Sequence, residues 1–156
     1  MPLSTWSSSA EALPATPGTY VLLAVLPRCR RIVTGALGEK RYPAGAWAYV
    51  GSAFGPVGLR ARVRRHIAGS THRHWHLDYL RPALRVAAVL TAPGRHEHDW
   101  AGRLAALPAS SLPVARFGAS DCLCRGHLVY LGAWLDSDGL SGILAYRPRS
   151  RDSAGP

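Results

Sequence analysis

Two short apolar runs, each bounded by glycine or proline, limit what this chain can fold into. Residues 20–26 follow Pro17 and Gly18 and stop at Pro27, and residues 46–51 follow a stretch punctuated by glycine and proline. Apolar runs of this length between turn residues are typical of strands. We therefore expect a sheet in which residues 20–26 form a central strand.

Helical periodicity appears after these runs. Apolar residues recur every four positions over residues 59–67, with arginines on the other faces, and a second helix fits residues 97–107, where Trp100 and Leu104 face inward and Pro108 ends the pattern. A short helical turn is expected at residues 75–80, and further strands at 30–34, 85–90, 128–131 and 142–146. The strand at 30–34 could return antiparallel to residues 20–26. Strands interleaved with helices predict a small α/β or α+β domain.

The length of 156 residues favours one domain. The 47% hydrophobic and 18% charged residues exclude a disordered chain as a whole. We expect a flexible lead-in over residues 1–15, the folded domain over 16–146 and a basic disordered tail over 147–156. No apolar run approaches the roughly 20 residues of a membrane-spanning helix, so we expect neither a signal peptide nor a membrane partner.

The charge is strongly positive and almost entirely arginine. The formal net charge is +10, and 18 of the 19 basic residues are Arg. The planar arginine fork binds phosphate and stacks on bases, which favours a nucleic-acid partner, although genomic base composition would also explain the arginines. An odd count of three cysteines does not indicate a secreted disulfide framework, so we expect a cytoplasmic protein.

Four sequence blocks occur in a specific order. Gly18-Thr19-Tyr20 opens the first strand, Tyr49-Val50-Gly51 ends the second, and blocks at 74–80 and 117–128 follow. This order resembles the GIY-YIG endonuclease superfamily, and within it the small stand-alone Uri-type branch, over about residues 16–146. The resemblance implies one α/β (α+β) domain with a small, mostly antiparallel central sheet flanked by helices. The long gap between the first two motifs implies an inserted hairpin over residues 27–45. Thr19 replaces the usual isoleucine, which we expect to matter little because threonine is compatible with a strand.

The resemblance also implies a metal-dependent site for phosphodiester hydrolysis, with Mg²⁺ or Mn²⁺ held by Glu97. The implied catalytic residues are Tyr20, Tyr49, Arg62, His66 and Glu97. Arg62 can clamp phosphate oxygens, and a carboxylate is a natural ligand for a hard cation. A tyrosine can act as general base once a nearby cation lowers its pKa from about 10; analogy slightly favours Tyr20.

Each candidate also has a structural explanation. The tyrosines could simply pack in strands, Arg62 could be one more solvated arginine, and Glu97 could be a first-turn acid that favours the helix N-terminus. His66 could orient phosphate or cap the helix end.

The residues expected to contact nucleic acid are Arg60, Arg64, Arg65, His74, His76, Asp121 and His127.

Cysteine and histidine near the C-terminal end of the domain allow another chemistry. Cys122, Cys124 and His127 are potential zinc ligands, but a structural zinc site needs four, and the sequence does not identify the fourth. Buried, unliganded cysteines and a place at the rim of the substrate cleft are the alternatives.

The sequence therefore predicts a metal-dependent endonuclease acting on DNA, single- or double-stranded, or on RNA. No element that reads base sequence is evident, so we expect a preference for nucleic-acid structure, and no obligate protein partner is inferred. The alternatives are a nucleic-acid-binding protein that keeps the nuclease scaffold without cleaving, and a small zinc-stabilised interaction module.

Overall fold

The apolar run after Gly18 forms the centre of an antiparallel sheet. The computed structural model describes residues 5–7, 9–132 and 144. The strands within them are β1 (Thr5–Ser7), β2 (Gly18–Leu26), β3 (Arg30–Val33), β4 (Glu39–Tyr42), β5 (Gly45–Ala53), β6 (Arg85–Ala92) and β7 (Leu128–Gly132). The α-helices are α1 (Gly58–Ala68), α2 (His76–Leu80) and α3 (Glu97–Ala105), with 3-10 turns at Ala10–Ala12, Gly35–Leu37 and Arg81–Ala83. No helix among these residues is long and apolar enough to cross a bilayer.

Five of these strands form one sheet in the order β1-β6-β2-β5-β7, and every neighbouring pair is antiparallel. Along β2, Tyr20 and Leu22 belong to the core on one face, whereas Val21 and Leu23 belong to the core on the other. Burial on both faces explains why this strand is a continuous apolar run instead of an alternating one. The fold is α+β, as expected.

Helices cover both faces of the sheet. On the first face, Leu59 and Val63 of α1 pack with Leu77 and Leu80 of α2. On the second face, the buried side of α3 packs against the sheet through Trp100, Ala101 and Leu104. The helical spacing seen in the sequence is therefore the spacing of residues that contact the sheet.

The long gap between the two main strands holds a hairpin, as expected. Strand β3 pairs with β4 in a separate two-stranded sheet, with Ile32 opposite Lys40. The idea that residues 30–34 return along residues 20–26 is therefore wrong, because both long edges of β2 are already occupied by β5 and β6.

The expected strand at residues 142–146 and tail at 147–156 lie outside the described residues, apart from Leu144. That residue is buried against the α3 face and has a helical backbone.

The start of the chain is packed, which corrects the expectation of a flexible lead-in for the described part of residues 1–15. Strand β1 pairs with β6, and Leu13 is 1% exposed. The carbonyls of Thr16 and Pro14 accept the backbone N–H groups of Leu59 and Arg60 at 3.0 Å each. Because the first N–H groups of a helix lack partners within it, this segment completes the beginning of α1.

Thr19 has a structural role that the sequence reading missed. Its buried hydroxyl donates to the carbonyl of Gly94 at 2.8 Å and accepts the backbone N–H of His96 at 2.9 Å. These bonds attach the turn before α3 to the first residues of β2. An isoleucine at this position could not make them.

The β2–β5 register places the two motif tyrosines together. Tyr20 lies opposite Gly51, and Leu22 lies opposite Tyr49, so the tyrosines are diagonal neighbours on one face with ring centroids 6.3 Å apart. A Cβ at Gly51 would lie 2.4 Å from the Tyr20 ring. The glycine of the second motif is therefore required by the tyrosine of the first.

Replacing Gly51 with alanine is expected to push the Tyr20 ring from its place and to lower the free energy of unfolding by about 1–3 kcal/mol, the usual cost of overpacking. Gly102→Ala is the matched control, because a Cβ there meets nothing within 4 Å in a helix interior, and should be neutral or slightly stabilising. Urea unfolding of both variants measures the difference. Equal stability of the two variants would contradict this role of Gly51.

Candidate active site

A polar cleft of about 390 Å³ opens where β2 begins and β5 ends. Its lining comes from two strands, three helices, the residues just before α2 and the loop before β7: Tyr20, Tyr49, Gly51, Ser52, Arg62, His74, Trp75, His76, Glu97, Gly118, Ser120 and Asp121. Four of the five catalytic candidates, all except His66, line this one cleft. The structure therefore brings together side chains that are up to 77 positions apart in sequence.

His66 lies behind Tyr20. Its Nε2 is 2.8 Å from the Tyr20 hydroxyl, and its side chain is buried. Burial lowers the pKa of His66 to about 4, so the ring is neutral at neutral pH. His66 therefore does not simply cap the end of α1, and it can influence the cleft through Tyr20.

Both tyrosines are held in their neutral form. Burial is the main cause that raises the pKa of Tyr20 and of Tyr49, and the charge of Glu97 adds to it, while the charge of Arg62 opposes it. Without a further cation in the cleft, both hydroxyl groups stay protonated.

Arg62 is oriented by two contacts. Its Nη1 donates to the carbonyl of Ser52 at 3.2 Å, and its guanidinium lies 4.6 Å from the centroid of the Trp75 ring. A guanidinium over an indole face is attracted to it and keeps its planar fork free for an anion. Trp75 was not predicted as a site residue, although it lies within the block at residues 74–80.

Glu97 is the acid of the cleft, and its side chain is 24% exposed. Its Oε1 lies 2.9 Å from Nδ1 of His127, close enough for an ion pair although not aligned as a hydrogen bond. Burial alone would raise the pKa of Glu97, but the side chains of His127 and Ser52 beside the carboxylate lower it overall. The carboxylate is therefore ionised at neutral pH and faces the cleft.

The other predicted contacts to nucleic acid fall into two groups. His74, His76 and Asp121 line the cleft, and His76 Nδ1 accepts the backbone N–H of Gly118 at 2.8 Å. His127 is buried beside Glu97 and does not line the cleft, so the expectation that it contacts substrate is corrected.

The arginines of α1 already have partners within the chain. Arg60 Nε donates to the carbonyl of Leu13, Arg64 forms a two-pronged pair with Glu11, and Arg65 pairs with Asp78. None of the three is among the residues that line the cleft. Their role in binding a nucleic-acid backbone stays a prediction.

A second cluster lies on the far side of His127. The ligand atoms of His98, Cys122, Cys124 and His127 all lie within 4.8 Å of one another, and these residues could hold a metal ion. Sequence reasoning identified three of the four but missed His98, because it lies on α3 and 24 residues before Cys122. Neither cysteine is fully buried, which disfavours the interpretation that they are small core residues.

Comparison with known proteins gives one match. The fold and the cleft define a small α+β domain with a polar site at one end of an antiparallel sheet. The family model described as a domain of unknown function, DUF123, matches residues 19–138, and the chain belongs to this family. No curated protein and no solved structure matches the chain.

The buried His66 predicts a loss of stability in mild acid. Its pKa is about 4 when folded and about 6.5 when unfolded, so the unfolded chain binds more protons between these values and stability falls as the pH drops through them. The shift corresponds to about 3 kcal/mol once the pH is below 4. His66→Gln should flatten this part of the profile of unfolding free energy against pH, measured in urea.

His72→Gln is the control for this measurement, because His72 is exposed. It should leave the slope between pH 6.5 and 4 unchanged. A His66→Gln profile as steep as that of the unmodified protein would contradict the buried neutral state of His66.

Proposed function

We propose that this protein is a metal-dependent endonuclease of the GIY-YIG superfamily, similar to its Uri-type branch, that hydrolyses phosphodiester bonds in DNA. One observation carries the proposal: two phenols, a guanidinium and a carboxylate from β2, β5, α1 and α3 line a single cleft. These are the groups that phosphodiester hydrolysis needs for water activation, phosphate binding and metal binding.

The charge of the chain supports a polyanionic substrate. The net charge is +10, and arginine is the residue best suited to phosphate oxygens. We infer a preference for the structure of the nucleic acid over its base sequence, because no base-reading element is evident in the sequence. RNA is the alternative substrate class.

Glu97 fits a hard divalent cation. It is ionised, it lines the cleft, and the rest of the lining offers hydroxyl groups and the carboxylate of Asp121. Oxygen donors of this kind suit Mg²⁺ or Mn²⁺, which keep several water ligands of their own. Such an ion, when bound, neutralises charge on the phosphate and on the leaving oxygen.

Arg62 is the proposed phosphate ligand. Trp75 and the Ser52 carbonyl fix the plane of its guanidinium before substrate arrives, so little side-chain freedom is lost on binding. Its fork can donate two parallel hydrogen bonds to non-bridging phosphate oxygens, where negative charge grows in the transition state.

Tyr20 is the better candidate for general base because His66 lies beside its hydroxyl group. Nδ1 of His66 is buried and has no hydrogen-bond partner among the described residues, and an unpaired acceptor is more readily tolerated than an unpaired N–H. In the proposed tautomer Nε2–H donates to the Tyr20 oxygen. That bond stabilises the phenolate and leaves its oxygen able to accept a proton from the water that attacks phosphorus.

Cleavage tests this proposal most directly. Labelled single-stranded, duplex and branched DNA, and RNA of the same sequence, are incubated with Mg²⁺, with Mn²⁺ or with no added divalent ion. We expect cleavage of DNA only with added ion. Glu97→Gln and Arg62→Lys should each reduce its rate by at least about 100-fold, because each removes a group that acts on the reacting phosphate.

Glu39→Gln and Arg31→Lys are the matched controls, since both residues are exposed and neither lines the cleft. They should cleave at the unmodified rate. Full activity of Glu97→Gln would show that the assigned metal ligand is wrong.

The role of His66 gives a separate prediction. Tyr20→Phe should slow cleavage by about 10²–10⁴-fold, the usual worth of a general base. His66→Leu should displace the alkaline rise of the pH–rate profile to higher pH, because the phenolate loses a hydrogen bond. A profile in His66→Leu that is lower but not displaced would contradict this role.

The alternative is that the scaffold binds nucleic acid without cleaving it. In that case the arginines of α1 would form the binding surface. Binding of labelled DNA by the unmodified protein, with no product in any metal, would support that alternative over hydrolysis.

A further inference from the structure

We propose that His98, Cys122, Cys124 and His127 bind one zinc ion, and that this ion fixes the position of Glu97 in the cleft. The metal site stands independently of any nuclease activity. Its effect on Glu97 rests on the proposed function.

The four side chains approach each other as the ligands of a single ion would. Nδ1 of His98 lies 2.9 Å from Sγ of Cys124, and Nε2 of His127 lies 3.6 Å from Sγ of Cys122. Zinc bonds of about 2.0–2.3 Å in a tetrahedron place ligand atoms about 3.3–3.8 Å apart. Since all four ligand atoms lie within 4.8 Å of one another, shifts on the order of 1 Å would complete that tetrahedron.

The donor set selects the metal. Two thiolates and two imidazoles are soft to intermediate ligands, which suit zinc and not Mg²⁺ or Ca²⁺. Four protein ligands also leave no open position, which is the property of a structural zinc site. The oxygen ligands near Glu97 and the sulfur and nitrogen ligands here therefore favour different ions.

The loop that carries the cysteines is not anchored by a large apolar side chain of its own. Leu123, between the two cysteines, is 99% exposed, so the loop directs its one large apolar side chain into solvent and its two thiols toward the protein. This is the reverse of what hydrophobic packing would produce. A bound ion explains the orientation, because it attaches the loop to α3 through His98 and to the start of β7 through His127.

His127 connects this site to the cleft. Its Nε2 faces Cys122, whereas its Nδ1 faces Oε1 of Glu97 at 2.9 Å. A histidine that binds a metal through one nitrogen characteristically directs the other to a carboxylate, and this fixes both groups. Zinc at Nε2 would therefore hold the His127 ring, and the ring would hold one oxygen of Glu97 while the other faces the cleft.

Metal analysis of the purified full chain tests the site without reference to activity. We expect one zinc per chain after dialysis against metal-free buffer. The zinc should be retained in Cys29→Ser, since Cys29 is exposed and outside the cluster, and reduced at least about tenfold in Cys122→Ser and Cys124→Ser.

The unmodified chain provides a second measurement in case the serine variants do not fold. Co²⁺ added to metal-depleted protein should give the absorption bands of a tetrahedral ion with thiolate ligands. Protein that retains no zinc and gives no such spectrum would overturn the proposal.

His98→Asn tests the link to Glu97, because His98 is a zinc ligand that does not line the cleft. It should bind zinc more weakly and slow cleavage, whereas His98→Cys should restore both and His72→Asn should change neither. Zinc loss in His98→Asn with an unchanged cleavage rate would overturn the link. A chain that holds zinc but never cleaves would refute only the proposed function; one that cleaves at full rate without zinc would refute only the metal site.

Discussion

The pairing of β2 with β5 is the constraint on which the rest of the site depends. In this register Tyr20 faces a glycine across the strands and Tyr49 lies one diagonal step away. A slip of one residue between these strands would turn one of the phenols to the opposite face, toward the core that contains Leu90 and Leu104, and would separate the pair. The apolar residues that alternate between the two cores of β2 therefore determine the position of the phenols as well as the stability of the sheet.

The acid reaches the cleft from the other side of the sheet, so its position depends on anchors outside the two tyrosine strands. Thr19 holds the turn before α3 against β2, and Trp100 fixes the helix against the sheet. Ser52 and His127 then contact the carboxylate of Glu97 itself. Because Thr19 is adjacent to Tyr20, one end of β2 positions both the phenol and the helix that carries the acid.

The sequence predicts the fold well where burial determines it. The runs at 20–26 and 46–51 are strands, the residues at 59–67 and 97–107 fall in helices apart from the last two positions, and the sheet is antiparallel. It also predicts the four residues that meet in the cleft. It fails where a residue acts through a long-range contact, because no local pattern in the sequence records such a contact. The examples are the backbone of residues 14–16 at the start of α1, the hydroxyl of Thr19, the indole of Trp75 and the ring of His98.

The contact between Glu97 and His127 would allow the two proposed metal sites to coexist in so small a domain. Sulfur and imidazole ligands lie on one side of His127, and oxygen ligands lie on the other side of Glu97. Ions that prefer soft donors and ions that prefer oxygen would therefore be separated by ligand type and not by distance. If the carboxylate of Glu97 turned toward the cysteines, it would enter a cluster that already has four ligands. Its contacts with His127 and Ser52 instead leave one carboxylate oxygen facing the cleft. With both proposed ions bound, the histidine between them would keep the structural ion and the catalytic ion from competing for the same acid.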